Sequence, residues 1–512
     1  MPKINANIFN KYVKQFGEDT FATDGTMLYC KICEVKVSAD KKFTVTQHIE
    51  TSKHERLLAR QNKPAENKQQ FISQPSNKKS VFSHDLCKAM MCANIPLHKI
   101  SNVQFRSFLE KYTLNDIPSV STLRKTYTND CYLEAIDQIR KDVVGNKIWV
   151  SIDETTDVQG RYIANVIIGT LLKDRPGKIY LLNTEVLEKA NFSTITKLFD
   201  SSMFLLWPDG VRHDDVLLFL SDAAPYMKKA GTTIKALYSK MIHITCIAHG
   251  LHRLAENIRS HFPRVDKLVA KGKQVFLKAP SRVLFFKTEA PGVPLPPEPV
   301  LTRWGSWIEA TSYYCQYFKQ VRDVMQHFDS NDAVSINESR ALLNEISMEP
   351  NLTFIHSNYG FLPSTITKLE SQGVSLTDSV TTVMFTKNKL DEVAGDVGMK
   401  VKTKFNQVLE KNDGFAIILK ILKILNGESS SMDGLSEDLT GNDLTFYKYA
   451  PVTSTDVERS FSRYKTILAD NRRSFDVENI KKTLVVQCNN LSVLDVVLTF
   501  DYTHANSTLL HL

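Results

Sequence analysis

The stretch that decides the fold is KIWVSIDETTD at residues 147–157, where β-branched and apolar residues run into a cluster of acids. Two further β-rich runs follow, YIANVIIGTLL at 162–172 and GKIYLLNTEVL at 177–187, and a Gln-Gly pair and a Pro-Gly pair separate the three. Short apolar runs bounded by such turn residues indicate strands joined by tight turns. The sequence therefore predicts a meander of three antiparallel strands.

Beyond the meander, helical and strand patterns alternate. Residues 192–207 show helical spacing, VLLFL at 216–220 is a continuous apolar run, residues 226–238 are helical again, and MIHIT at 241–245 is β-rich. An apolar run without alternation is typical of a strand buried on both faces, as in a parallel sheet. This order resembles the core of RNase H-like proteins, in which the first and fourth strands are adjacent and parallel, and it indicates an α/β fold.

Two aspartates stand at matching strand ends. Asp153 ends the first predicted strand, and Asp222 directly follows the fourth. If these strands pair in parallel, both carboxylates reach one edge of the sheet, where they would begin a site for Mg2+ or Mn2+. The alternative for each aspartate alone is structural, a carboxylate that caps the next turn or helix.

A third acid comes from far along the chain. The segment PVTSTDVERSFSRYK at 451–465 combines a polar start with apolar residues on one helical face, and it places Glu458 in the first turn. Together with SIDETTD at 151–157, CIAHGLHRLAE at 246–256 and LTRWGSW at 301–307, this segment resembles the hAT superfamily of transposases.

The resemblance covers about residues 85–495 and implies a site for metal-dependent DNA cleavage and strand transfer. In that family the site is an Asp-Asp-Glu triad that binds Mg2+ or Mn2+, and the matching residues here are Asp153, Asp222 and Glu458. All three acids are present, so the resemblance implies an intact constellation. An intact triad is necessary for such chemistry and is not sufficient for it.

Two further family motifs have matches in this chain. Cys246 and His249 match the family's Cys-x2-His motif, and Arg303 with Trp304 matches its Arg-Trp motif. The resemblance assigns both motifs to binding and shaping transposon-end DNA, and a tryptophan can stack on an unpaired base. Without the family, the alternatives are a buried thiol, a core histidine and a core tryptophan.

The N-terminal stretch LYCKICEVKVSADKKFTVTQHIETSKH at 28–54 contains two cysteines and two histidines at the spacing of zinc ligands. These are Cys30, Cys33, His48 and His54. Residues 44–60 are predicted as one helix that carries both histidines. The alternative is that these are unrelated side chains of a surface segment, but four ligands within about 25 residues rarely arise by accident.

Five basic residues lie on or beside this predicted helix, where they could contact DNA phosphates. They are Lys41, Lys42, Lys53, Arg56 and Arg60. The stretch resembles BED-type and related two-Cys two-His zinc fingers. With ANIPLHK at 93–99 and FRSFLEKY at 105–112, it is also similar to the CGG triplet repeat-binding proteins, over roughly residues 10–130.

Charge and composition narrow the classes of protein. The chain of 512 residues has a net charge of +8, and its first 80 residues hold fourteen Lys and Arg against eight Asp and Glu. A basic end on a nearly neutral body favours a polyanionic partner such as double-stranded DNA, although a solvated basic tail is the alternative. Eight scattered cysteines and no secretory signal favour a reducing compartment, and no apolar run is long enough for a membrane span.

These patterns predict six segments. Residues 1–60 form a two-Cys two-His finger, 61–80 a flexible linker, 81–142 a helical subdomain, 143–255 the first part of the core, 256–445 an all-helical insertion, and 446–512 a core helix and a helical C-terminal region. The family resemblance implies that this last region forms a homodimer or higher oligomer. Core packing is the alternative for its apolar residues.

The leading hypothesis is a nuclear DNA-binding protein of hAT-transposase descent, with zinc in the finger and Mg2+ or Mn2+ in the acidic site if it is an active enzyme. The rival is a domesticated, non-catalytic DNA-binding regulator of transcription, which the N-terminal resemblance favours. A third class, a structural protein that needs no DNA, conflicts with the finger and with the basic N-terminal segment.

Overall fold

The computed structural model describes residues 6–61, 79–300, 305–468 and 475–490 of the chain. The chain divides into two compact units, residues 1–78 and residues 79–512. Among the described helices, none combines the length and the apolar character that a membrane span requires.

Within its described residues, 6–61, the first unit is a small fold of three helices and three short strands. In chain order these are α1 (Ala6–Phe16), β1 (Phe21–Thr23), β2 (Leu28–Cys30), β3 (Val35–Val37), α2 (Lys42–Ile49) and α3 (Ser52–Gln61). The strands form an antiparallel sheet in the order β1-β2-β3. Phe21, Leu28 and Val45 are fully buried and form the centre of its core.

The histidine-bearing helix predicted over residues 44–60 is broken into α2 and α3. Thr51 lies at the break: its hydroxyl donates to the carbonyl of His48 (2.8 Å) and accepts from the backbone N–H of His54 (3.3 Å). A threonine that accepts from the N–H three residues ahead caps the start of a helix. The single-helix prediction was therefore wrong in this detail, because a local cap outweighs continuous helical periodicity.

The second unit begins with a helical segment. Its α-helices are α4 (Val81–Cys92), α5 (Val103–Thr113), α6 (Val120–Thr122) and α7 (Thr128–Val143), with a 3-10 helix at Leu97–Ser101 and a π-helical turn at Leu123–Tyr127. Side chains at their starts explain the boundaries, since Ser80 accepts from the N–H of Ser83 and Asn102 accepts from the N–H of Phe105.

A five-stranded mixed sheet follows this helical segment. Its elements are β4 (Lys147–Thr156), β5 (Tyr162–Leu171), β6 (Ile179–Leu187), α8 (Phe192–Leu206), β7 (Val216–Ser221), α9 (Pro225–Lys235) and β8 (Ile242–Thr245), with a 3-10 turn at His213–Asp215. The strand order is β6-β5-β4-β7-β8. The strands β4, β5 and β6 are antiparallel, whereas β7 is parallel to β4 and β8 is parallel to β7.

The predicted adjacency of the first and fourth strands of this sheet is confirmed. In the register of β4 and β7, Ser151 lies opposite Leu220. Asp153 and Asp222 each follow two residues later, at the same edge of the sheet. All six residues of β7 are buried, as expected from an apolar run without alternation.

Helices occupy most of the chain after the sheet. They are α10 (Ile247–Ser260), α11 (Pro263–Gln274), α12 (Pro280–Glu289), α13 (Gly305–Gln316), α14 (Phe318–His327), α15 (Val334–Leu343), α16 (Met348–Tyr359), α17 (Leu362–Glu370), α18 (Leu376–Asp391), α19 (Gly395–Glu410), α20 (Asp413–Leu425) and α21 (Gly441–Leu444), with a 3-10 turn at Thr445–Tyr449. Helical periodicity in this part of the sequence predicted this character.

The last two helices among the described residues pack against the sheet. Helix α22 (Thr455–Ile467) packs on β4 and β5, and α23 (Val477–Asn490) packs on β6, α4 and α7. The apolar residues Val457 and Tyr464 of α22 are buried, so its amphipathic pattern serves this packing. The predicted C-terminal region extends past residue 490 and lies outside the described residues there.

Candidate metal centres

The four predicted zinc ligands come together in the first unit. Cys30 ends β2, Cys33 lies in the following turn, and His48 and His54 come from α2 and α3. Their ligand atoms all lie within 4.8 Å of one another, and His54 Nδ1 is 3.5 Å from the sulfur of Cys30 and 3.4 Å from that of Cys33. Sulfur and nitrogen ligands of one tetrahedral zinc ion are separated by about 3.5 Å. The group could hold zinc.

Burial gives this group the chemistry of a metal site. Burial and the adjacent Cys30 raise the pKa of the Cys33 thiol to about 11, so a thiolate there needs a cation beside it. Burial also lowers the pKa values of His48 and His54, which keeps both imidazoles in the neutral form that binds metals. The Nε2 atom of His48 is buried and has no hydrogen-bond partner among the described residues.

The basic residues predicted to meet DNA surround these ligands in the chain. Lys41 precedes α2, Lys42 begins it, and Lys53 and Arg56 lie on α3, all four exposed to solvent. Arg60 also belongs to α3, but its side chain lies outside what the structure describes. The exposed positions leave the four described cations accessible to phosphates.

The second centre lies where the parallel pairing of β4 with β7 ends. Strand β4 itself continues past Asp153 to Thr156 through its pairing with β5, so the expectation that Asp153 ends its strand was wrong. Asp153 belongs to β4, Asp222 follows β7, His249 lies in the first turn of α10 after β8, and Glu458 lies in the first turn of α22. Parallel strands deliver their carboxyl ends to one edge, which explains why three of these side chains meet there. The fourth is brought by the packing of α22 on β4 and β5.

Three of these four side chains form a tight group. Potential ligand atoms of Asp153, His249 and Glu458 lie within 4.8 Å of one another, and His249 Nε2 is 3.5 Å from Glu458 Oε1. Asp222 is outside that group; its carboxylate accepts from the backbone N–H of Ala224 (3.0 Å), so it also has the capping role considered as an alternative. The sequence pointed to Asp222 as the partner of Asp153, whereas the tight group consists of Asp153, His249 and Glu458.

The pKa of Asp153 depends on the charges of the side chains around it. Burial raises the pKa of Asp153 to about 8; the charge of His249 opposes this rise, and the carboxylates of Glu154, Asp222 and Glu458 add to it. A carboxylate that is costly to ionise among other carboxylates is one that a divalent cation stabilises. Asp222 is thus electrostatically part of the site although it lies outside the tight group.

His249 favours its charged form, whereas Asp153 favours its neutral form. Burial lowers the pKa of His249, but Cys246 and the carboxylates of Glu458 and Asp153 outweigh burial and raise the pKa to about 10. His249 therefore compensates the clustered carboxylates when they are ionised.

The donor set of this edge fits a hard divalent cation. Carboxylate oxygens from Asp153, Asp222 and Glu458 are the ligands that Mg2+ and Mn2+ prefer, and the imidazole of His249 is acceptable to Mn2+. Glu154 is engaged elsewhere: its carboxylate accepts a hydrogen bond from the hydroxyl of Tyr226. Burial raises the pKa of Glu154.

Cys246 connects the ends of two strands to the helix that carries Glu458. It is buried, its sulfur accepts from the backbone N–H of Ser454 (3.2 Å), and its own N–H donates to the carbonyl of Ser221 (2.8 Å). These contacts join the ends of β7 and β8 to the start of α22. Arg303 and Trp304, the other predicted DNA-contacting pair, lie outside the described residues.

Two polar contacts that the sequence did not point to tie α22 to the sheet. Asn165 of β5 donates to Ser460 (2.7 Å), and Tyr464 donates to Asp157 (3.0 Å), which also accepts from Arg161. Alternation within a strand shows which residues share a face, but it does not show which helix from elsewhere in the chain covers them. An asparagine inside an apolar strand was the one available signal.

Comparisons with known families fit this architecture. Residues 118–275 match the family model of a domain of unknown function, DUF659, residues 73–130 match the CGGBP1 helical domain, and residues 8–59 match the CGGBP1 N-terminal domain. DUF659 is a hAT-like transposase-derived domain. The chain is therefore similar to a transposase-derived domain and to both CGGBP1 domains, and the DUF659 match includes Asp153, Asp222 and His249.

Individual relatives resemble the N-terminal quarter. CGG triplet repeat-binding protein 1 from Mus musculus and from Homo sapiens are each 28% identical to this chain over 130 residues, which is 23% of this chain and 77% of theirs. The predicted resemblance to hAT transposases and to CGG triplet repeat-binding proteins is confirmed.

Proposed function

We propose that this transposase-derived chain binds double-stranded DNA through its first unit and performs metal-dependent DNA cleavage and strand transfer at its acidic edge. The observation that carries the proposal is the grouping of Asp153, His249 and Glu458 within 4.8 Å, with Asp222 at the adjacent strand end. These side chains come from three different elements and from the turn after β7, so closeness in sequence does not explain why they lie together.

The strand order β6-β5-β4-β7-β8 supports an RNase H-like core in this proposal. The helices from α10 to α21 then form an insertion between the core strands and the helix that carries Glu458. In this arrangement Asp153 follows the parallel pairing of β4 with β7, Asp222 directly follows β7, and Glu458 belongs to a helix that packs on β4 and β5. This is the disposition that the family resemblance implied for the Asp-Asp-Glu triad.

In the proposed mechanism, Asp153, Asp222 and Glu458 would hold Mg2+ or Mn2+. Bound divalent cations lower the pKa of an attacking oxygen and stabilise the leaving oxygen of a phosphodiester. His249 holds Glu458 through its Nε2 atom and balances the negative charge of the site. Water would attack the phosphodiester first, and a DNA 3′-hydroxyl would follow in line.

DNA recognition is assigned to the first unit. Zinc at Cys30, Cys33, His48 and His54 would fix α2 and α3 against the small sheet, and the exposed lysines would contact phosphates. The relatives of this region are named for binding CGG triplet repeats. We propose DNA as the partner of this chain as well, without assigning it that sequence.

Three further assignments belong to the same proposal. A protein that recognises and cuts chromosomal DNA would act in the nucleus. Its C-terminal region would form a homodimer or a larger homo-oligomer, so that two DNA ends can be handled together. Cys246, His249, Arg303 and Trp304 would lie near the DNA ends, with Trp304 stacking on an unpaired base.

The experiment begins with full-length protein purified with zinc and with DNA selected by its own binding. That DNA is incubated with Mn2+ and tested for nicking and end joining, beside Asp153→Ala and Glu458→Ala variants. Cleavage by the wild type that disappears in both variants supports the proposal. Unchanged cleavage in Asp153→Ala contradicts it, because the activity would then come from a contaminating nuclease or another site.

A second candidate function is a non-catalytic DNA-binding regulator of transcription. The matches of residues 8–59 and 73–130 to CGGBP1 domains favour it, since those matches lie outside the acidic site. The same experiment separates the two functions. Tight zinc-dependent binding by a protein that neither binds Mn2+ at the acidic site nor cuts transposon-like ends supports the regulator.

A further inference from the structure

A polar row crosses the sheet next to the acidic group. In the strand register, Asp153 of β4 lies opposite Asn165 of β5, and Asn165 lies opposite Thr184 of β6. Directly opposed residues share one face of a sheet, with Cβ atoms about 4.5–5.5 Å apart. Asn165 is fully buried and Thr184 is 5% exposed. An amide buried among apolar strand residues needs hydrogen-bond partners for both of its ends.

Hydrogen bonds fix which way the Asn165 amide points. Its Nδ2 atom is 2.7 Å from Ser460 Oγ, and the Ser460 hydroxyl is 2.5 Å from the carbonyl of Val457. A serine hydroxyl has one proton, and the carbonyl of Val457 can only accept it. Ser460 must therefore accept from Asn165, so the nitrogen faces α22 and the Oδ1 atom is the end not committed to that helix.

The Oδ1 atom is left without a donor. It is buried and has no hydrogen-bond partner within the described part of the chain, and the same holds for the hydroxyl oxygen of Thr184. A buried oxygen without a donor destabilises a fold, so a donor is expected from a bound species. Of the two cross-strand neighbours of Asn165, Asp153 belongs to the acidic group. Divalent cations held by carboxylates keep several of their waters, and those waters are donors.

We propose that Asn165 is a positioning residue of the acidic site. Its amide nitrogen fixes α22, and with it Glu458, while its amide oxygen accepts a hydrogen bond from the water shell of the divalent cation at Asp153. The inference rests on the proposed metal-dependent function. It adds an uncharged acceptor to a site otherwise made of charged groups, so Asn165 strengthens cation binding without adding to the repulsion among the carboxylates.

Another buried asparagine in the same sheet provides a matched control. Asn183 of β6 donates to Ser202 of α8 (3.1 Å), and Ser202 donates to the carbonyl of Leu198, so the tether to a helix is the same in kind. The Oδ1 atom of Asn183 has a donor of its own, the backbone N–H of Thr184 (2.9 Å). Asn183 thus shares the structural role of Asn165 but has no oxygen left for a cation shell.

The test measures Mn2+ binding to the full-length protein by calorimetry and by the rise in melting temperature that Mn2+ causes. Asn165→Leu is expected to weaken Mn2+ binding by about tenfold or more, as for other groups that support metal ligands. Asn183→Leu is expected to lower the melting temperature without changing the affinity for Mn2+. Asn165→Asp keeps the size and adds a carboxylate beside Asp153, so the melting temperature without Mn2+ should fall while the Mn2+-induced rise grows.

The outcomes separate this inference from the proposed function. If Asp153→Ala loses Mn2+ binding but Asn165→Leu and Asn165→Asp bind Mn2+ like the wild type, the inference is wrong and a structural water between Asn165 and Thr184 explains the free oxygen. If Asp153→Ala also binds Mn2+ like the wild type, the metal-dependent function itself is wrong. Should Asn165→Leu fail to fold, the smaller Asn165→Ala variant takes its place, with the same expected loss of Mn2+ affinity and with Asn183→Ala as its control.

Discussion

At the scale of single residues, His243 packs against β7, the strand that directly precedes Asp222. It lies on β8, its ring stacks on Phe219 with centroids 4.9 Å apart, and its Nε2 atom is 2.9 Å from the hydroxyl of Ser221. Ser221 immediately precedes Asp222. The backbone of Gly231 also faces the ring, so closely that an added Cβ would lie 2.2 Å from Nδ1. His243 therefore occupies a closely packed place that suits a neutral ring.

The charge state of His243 leads to a prediction about pH. Burial, with Lys228 and Lys235 adding to it, lowers the pKa of His243 to about 4. The unfolded chain binds a proton near pH 6.5, so stability is fully present above that pH and falls progressively between pH 6.5 and about 4. We expect a loss on the order of 3 kcal/mol at most from this residue.

Chemical denaturation at pH 7.0 and at pH 5.0 measures this loss. A His243→Gln variant should be less stable than the wild type at pH 7.0, but it should lose less on acidification. The exposed His98 supplies the control, since His98→Gln should leave the pH dependence of the wild type in place. An identical pH dependence in His243→Gln and wild type would show that His243 is not the group that titrates.

The sequence pointed to the acidic residues at this edge of the sheet, but it did not point to the contacts that their neighbours make. Asp153 and Asp222 could be placed because a parallel strand pair sends both to one edge of the sheet, and Glu458 because the family resemblance supplied it. The position of His249 beside Glu458 depends on where the turn after β8 meets α22, two segments about 200 residues apart. No local pattern encodes such a distance. The role of Asn165 was not predicted for the same reason, because its partner Ser460 lies on a helix far along the chain.

At the scale of elements, the break between α2 and α3 sets the geometry of the histidine pair. We predict that Thr51→Ala lowers the stability of the first unit by about 1 kcal/mol, because it removes the cap of α3. Zinc affinity should fall with it, since His54 sits in the first turn of that helix. Competition with a chromophoric zinc chelator measures the affinity.

A nearby threonine provides the control for that prediction. Thr46 lies within α2, and its hydroxyl donates to the carbonyl of Lys42 four residues back (3.2 Å), a contact that adds little to a helix. Thr46→Ala is expected to keep the zinc affinity of the wild type. Equal losses of affinity in Thr46→Ala and Thr51→Ala would argue against a special role for the cap.

The two outer strands of the five-stranded sheet, β6 and β8, are each capped at their open edge by an asparagine from another part of the chain. Asn412 accepts from the N–H of Thr245 (3.1 Å) and donates to its carbonyl (2.7 Å), and Asn489 makes the same pair of bonds with Leu181 of β6 (3.0 and 2.9 Å). Each amide thus takes the place of a neighbouring strand for one residue. Capping of this kind protects edges that would otherwise pair with another chain.

Loss of one such cap should be costly. We predict that Asn412→Ala destabilises the second unit by on the order of 2–4 kcal/mol, because it leaves a buried N–H and a buried carbonyl unpaired. Hydrogen exchange of peptides that cover β8 should become faster, and a tendency to associate through this edge should appear in light scattering. Asn426→Ala, at an exposed helix end, is the control that should change neither property.

At the scale of the whole molecule, the two units differ in what stabilises them. The second unit has an extensive apolar core, whereas the core of the first centres on a few side chains such as Phe9, Phe21 and Val45. Domains of this small size commonly need a metal to fold. The sequence analysis placed a boundary between the two at residues 61–80, because a polar stretch without periodicity separates the zinc-ligand spacing from the strand-rich core.

Metal removal should therefore affect one unit and spare the other. We predict that a zinc chelator abolishes hydrogen-exchange protection in peptides from residues 6–61 and leaves protection in residues 79–490 unchanged, because the four ligands of the first unit lose the ion that joins β2, α2 and α3.

Cys30→Ser should reproduce this pattern without chelator and should retain Mn2+ binding at the acidic site. Asp153→Ala should do the converse, losing Mn2+ binding while keeping zinc and zinc-dependent DNA binding. Loss of protection in the second unit on zinc removal would contradict the independence of the two centres, and it would mean that the finger and the acidic site fold as one cooperative structure.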